Sequence, residues 1–82
     1  MSKFEKALAR LRSRPKDFTW RELQAVMNHF GYEELKGGGS RRKFINYENK
    51  VSVSLHEPHP SPHMKLYAVA IIIDHLTEEG LL

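Results

Sequence analysis

Eighty-two residues, with 13 Lys+Arg, 10 Asp+Glu and no cysteine, allow one domain that buries only about 60% of its unfolded surface. They exclude disulfides and cysteine-based zinc sites and suit a reducing, cytoplasmic setting. A net charge of +3 names no partner by itself, no apolar segment after Met1 predicts a signal peptide, and the longest apolar run, Ala68 to Ile73, is too short to span a bilayer.

Phe4, Ala7, Leu8 and Leu11 fall at i, i+3, i+4 and i+7, one face of a helix over Lys3 to Arg12 that ends before Pro15. Thr19-Trp20-Arg21-Glu22 has the form of a capping box, in which the Thr19 hydroxyl accepts from the Glu22 N–H and the Glu22 carboxylate reaches back. Trp20, Leu23, Val26, Met27 and Phe30 then predict the buried stripe of a second helix, with Gly31 as its left-handed terminator. Tyr32 to Lys36 is a short strand, Gly37-Gly38-Gly39-Ser40 a turn, and Arg41 to Tyr47 a second strand. Glu48-Asn49-Lys50 is a turn without glycine, and Val51, Val53 and Leu55 alternate with Ser52, Ser54 and His56 as a half-buried strand.

Pro58, Pro60 and Pro62 keep the next stretch out of helix and central strand. A helix from about Lys65 to Glu79, closed by Gly80, is expected to place Tyr67, Ala70, Ile71, Ile73 and Leu76 on the sheet. Val69 and Ile72 widen its apolar arc, making it the expected most buried element. The order α-α-β-β-β-α predicts an α+β fold: a three-stranded antiparallel meander with helices packed on one face, the other face open.

The charge is unevenly placed. Seven basic residues and two acids lie between Lys3 and Arg21; Lys36, Arg41, Arg42, Lys43 and Lys50 share their segment with one acid, Glu48. The last nine residues hold Asp74, Glu78 and Glu79 and no Lys or Arg. A clustered basic face is the footprint of nucleic-acid binding, although Lys and Arg on a helix are ordinarily solvated surface.

His56, His59 and His63 lie together in Leu55-His56-Glu57-Pro58-His59-Pro60-Ser61-Pro62-His63. Histidine titrates near neutrality, so a pair can serve as general base and general acid. With arginine or lysine to stabilise a charged phosphorane, that suits metal-free RNA cleavage by the strand's own 2′-hydroxyl. Whether Arg41 and Lys43, or Arg42, share a face with His56 depends on strand register. Three histidines could also ligate zinc or nickel, but no zinc spacing is matched. The plainest alternative is that they hydrogen-bond within the loop. The glycine turn lacks both the P-loop ending and the GxGxxG spacing.

From Thr19 to Leu81 the chain resembles the HicA family of bacterial toxins. The resemblance rests on the order of Phe30-Gly31-Tyr32, Gly38-Gly39-Ser40, Arg41-Arg42-Lys43-Phe44, Val51-Ser52-Val53, His59-Pro60 and Ile72-Ile73-Asp74-His75-Leu76. It implies a double-stranded-RNA-binding-like fold, an mRNA interferase activity without cofactor or metal, and a partner antitoxin of the HicB kind. It divides the chain into a helical extension, 1–17, and a core, 18–82, of a single domain, 1–82. The family usually carries its catalytic histidine just after the Gly-Ser turn, where this chain has Arg41. Arginine stays protonated and cannot be a general base. Proton transfer is therefore expected from His59 and His56, with Ser40, Arg41, Arg42, Lys43 and Lys36 binding RNA. The rival readings are a non-cleaving RNA-binding module on the same fold and a protein-interaction domain using the open sheet face or a strand edge.

Overall fold

The computed structural model describes residues 2–82. Its elements run α1 (Lys3–Arg12), α2 (Trp20–His29), β1 (Glu33–Lys36), β2 (Arg41–Asn46), β3 (Val51–His56) and α3 (Leu66–Glu78). Helix α1 starts on Ser2, whose hydroxyl accepts from the Glu5 N–H at 3.2 Å. Helix α2 starts on the expected capping box: Glu22 N–H donates to Thr19 Oγ1 at 3.1 Å, and Thr19 N–H donates to Glu22 Oε1 at 3.1 Å. After α2 the chain reverses through Gly31, whose φ of +88° strains any residue with a Cβ.

The strands form one antiparallel sheet in the order β1-β2-β3. Phe44 pairs with Val53, Arg42 with Leu55 and Arg41 with His56. Phe44, Val53 and Leu55 are buried beneath α2 and α3, while α1 packs on α2 and reaches α3. Phe18, Leu23, Val26, Met27, Met64, Val69, Ile72 and Leu76 complete a core that also takes in Ala7 and Leu11 of α1. The fold class is therefore the expected α+β one, a three-stranded antiparallel sheet with helices on one face.

Two local expectations differ. Strand β2 stops at Asn46 because its side chain turns the chain, accepting from the N–H groups of Glu48 and Asn49 at 3.0 and 3.1 Å. Helix α3 buries Ala68, Val69, Ile72 and Leu76, and leaves Leu66, Tyr67 and Ile71 exposed. The expected face with Tyr67 and Ile71 inward is thus rotated, because Leu66 and Tyr67 lead straight into the apolar run Ala68–Ile73 and the whole stretch carries no facing information. No described helix is long and apolar enough to cross a membrane.

Candidate functional site

The register settles which basic residues accompany His56. Arg41 sits directly across from His56, and Lys43 across from Ser54. Side chains of paired residues share a face, so Arg41, Lys43, Ser54 and His56 stand together on the open side of the sheet. They border a shallow hollow of about 360 Å³ that also touches Gly37. All four are exposed.

Arg42 goes the other way. Its side chain is 14% exposed, and its Nε donates to Glu57 Oε1 at 2.9 Å and lies 3.8 Å from Glu34 Oε2. Its Nη1 donates to the carbonyls of Gly39 and Arg41 at 2.9 and 2.7 Å. Arg42 thus clamps the glycine turn to the start of the histidine loop, with its charge matched by two carboxylates. Lys36 pairs with Arg42 and shares that face. Glu34 is itself held by Trp20 Nε1 at 3.3 Å and Gln24 Nε2 at 2.6 Å.

The turn is closed by Gly37 N–H to Arg41 C=O at 2.9 Å and Arg41 N–H to Gly38 C=O at 3.1 Å. A Cβ on Gly37 would come within 3.1 Å of the Arg41 Cβ, a tight contact that a larger residue would relieve only by moving Arg41 a few tenths of an ångström. The turn delivers Ser40 to the histidine: Ser40 Oγ lies 3.0 Å from His56 Nδ1, and the Glu57 N–H donates to the Ser40 carbonyl at 2.8 Å. One ring nitrogen of His56 is thereby engaged, and Nε2 is the nitrogen left for other chemistry.

The proline-bearing loop is pinned at its far end. Trp20 N–H donates to the Pro62 carbonyl at 3.0 Å, Met64 N–H to the Phe18 carbonyl at 2.7 Å, and Thr19 bridges His63. His59 precedes a cis peptide bond to Pro60 and is exposed. Between strand and loop lies a groove of about 190 Å³ lined by both His56 and His59, with Glu57, Pro58, Met64, Lys65, Tyr67 and Ala68. A third hollow of about 350 Å³ joins Gly39, Ser40, Arg42, Glu57 and Pro58 to His59.

The structure therefore brings Ser40, Arg41, Lys43 and His56 together and puts His59 on a shared groove. It sets Arg42 and Lys36 on the other face and leaves His63 paired to Thr19. Among the described residues no three His, Asp or Glu side chains converge to hold a metal ion. Lys65 and Tyr67 also line this groove; the sequence shows no sign of it, since the periodicity of α3 turns Tyr67 toward the sheet and a proline loop fixes no distance between its ends.

No curated protein and no solved structure matches the chain. A family model described as HicA toxin of bacterial toxin–antitoxin matches residues 20–77. That span runs from the first residue of α2 into the last turn of α3 and includes every residue of the three hollows. On this match over more than half its length, the chain belongs to the HicA toxin family of bacterial toxin–antitoxin systems.

Proposed function

We propose that this toxin binds single-stranded mRNA on the open sheet face and cuts it without metal, until a HicB-like antitoxin occupies it. The observation that carries the reading is the pairing of Arg41 with His56. The position where the family keeps a histidine here holds a fixed cation, and a histidine stands directly across the strand pair from it. Arg41 and Lys43 bind backbone phosphate, the arginine in a bidentate way that lysine cannot reproduce.

In the reaction one imidazole of the His56–His59 pair takes the proton from the 2′-hydroxyl as its oxygen attacks phosphorus. The bond from phosphorus to the 5′-oxygen breaks, and the other imidazole protonates that leaving oxygen. The products are a 2′,3′-cyclic phosphate and a 5′-hydroxyl. Arg41 and Lys43 stabilise the charge that builds on the non-bridging oxygens. Ser40 adds a contact at the turn, Lys36 contributes positive potential from the other face, and Arg42, its charge matched by Glu34 and Glu57, holds the turn that carries Ser40 and Arg41. The reading takes 1–82 as one domain, with 1–17 a helical extension of the core.

The test is incubation of antitoxin-free protein with labelled mRNA in the presence of a chelator. Cleavage leaving cyclic-phosphate ends is expected, with His56→Ala and His59→Ala each lowering the rate by about 10²-fold or more. Intact RNA overturns the reading. Intact RNA that is nonetheless retarded on a gel points to the non-cleaving module, which the arginine at position 41 favours.

A further inference from the structure

We propose that Tyr67 and Lys65 form a subsite for one nucleotide of single-stranded RNA, the base stacking on Tyr67 and its phosphate meeting Lys65. The proposal rests on the RNA reading above and adds residues to it.

Tyr67 is 60% exposed although it belongs to the most apolar helix. Tyr67 contributes little to the core and lines the groove that His56 and His59 share. The floor of that groove includes Met64 and Ala68, both buried. An exposed aromatic ring beside an apolar floor and a cation is the composition that holds a nucleobase, because every base has a flat π face and stacking tolerates any sequence. At about 190 Å³ the groove falls below the roughly 300–1,000 Å³ of sites for drug-sized ligands, a size for a single ring system. Lys65 is exposed and enters none of the ion pairs among the described residues. The one carboxylate in the groove, Glu57, is held by Arg42 at 2.9 Å, which offsets its repulsion of phosphate.

Leu66 and Ile71 are also exposed on α3, and a protein partner could cover all three apolar residues. Yet neither lines the histidine groove, whereas Tyr67 and Lys65 both do. That placement favours RNA. The base seated at Tyr67 then neighbours the scissile phosphate, so the subsite sets where the strand lies relative to the two imidazoles.

The probe is a fluorescein-labelled 2′-O-methyl oligoadenylate of about 12 nucleotides, within the span such grooves cover, which binds but lacks the attacking hydroxyl. With the full chain, Tyr67→Ala should weaken binding roughly tenfold, the loss of one stacked base, and leave the salt dependence unchanged. Tyr67→Phe should bind as wild type. Lys65→Ala should lower the slope of log affinity against log salt by about 0.7, one phosphate contact on a single strand. Ile71→Ala, on the same helix but outside the groove, should have no effect.

Wild-type affinity in Tyr67→Ala overturns the subsite, as does an equal loss in Tyr67→Phe or in Ile71→Ala. Unchanged RNA affinity with lost antitoxin binding assigns Tyr67 to the protein interface and overturns it too. A wild-type chain that does not bind the oligonucleotide overturns the RNA reading and the subsite together. A wild-type chain that binds, beside an unaffected Tyr67→Ala, overturns the subsite alone.

Discussion

Asn46 makes three hydrogen bonds from a buried position. Its Oδ1 accepts from two turn N–H groups, and its Nδ2 donates to the Phe30 carbonyl at 3.2 Å. One side chain thus shapes the β2–β3 turn and ties it to the end of α2. Asn46→Ala leaves these groups without that partner and should cost about 2–3 kcal/mol, read from the urea midpoint. Arg10 plays a similar part on the helical side, with Nε 2.5 Å from Glu22 Oε2 and Nη2 3.0 Å from Asp17 Oδ1. Burial pushes the Glu22 carboxyl up, but hydrogen bonds from Arg10 and Thr19 outweigh it and hold the pKa below the ordinary 4.5. The Arg10 hydrogen bond holds Asp17 below its ordinary 3.8. Both folded-state values are depressed, so the stabilisation is present above the unfolded values and lost as pH falls through the folded ones. Arg10→Met should melt below wild type at about pH 6, and the gap should close as pH falls below the ordinary 4.5 and 3.8 of these two carboxyls and through their depressed folded values.

At the scale of elements, α1 stands outside the matched span of 20–77 yet supplies Ala7 and Leu11 to the core. Phe4 also stacks on His29 at 3.6 Å between ring centroids. Leu11 is fully buried, so Leu11→Ala should cost about 2–4 kcal/mol by cavity formation. Cleavage per folded molecule should be unchanged, which pairs a denaturation curve with a rate. Both N-terminal helices were legible in the sequence, since Thr19–Glu22 marks a start and Phe4-Ala7-Leu8-Leu11 marks a face. Strand β3 was legible by alternation. Helix α3 was legible as a helix but not in its rotation, because only contact with the sheet chooses among the adjacent side chains of Leu66, Tyr67 and the apolar run Ala68–Ile73. Arg41 and His56 were visible as residue types. Their pairing was not, since it depends on register fixed at both ends of β2: by the glycine turn on one side and by Asn46 on the other.

Over the whole molecule the charge is uneven: the basic residues of α1 and of the open sheet face contrast with an acidic end of α3. The open sheet face presents Arg41 and Lys43, while Asp74, Glu78 and Glu79 gather at the far end of α3. The histidine loop joins β3 to the start of α3 and is fastened to the residues that begin α2, through Trp20 to Pro62 and Met64 to Phe18. The segment that launches the second helix is therefore also the mooring of the loop that carries His59 and His63. The amide protons of Trp20 and Met64 are then shielded by the same contact and released by the same opening. In hydrogen–deuterium exchange they should report one rate with one response to mild denaturant, while the amides of His59 and Ser61 exchange early. Two unrelated rates would mean that the loop and the helix start open separately.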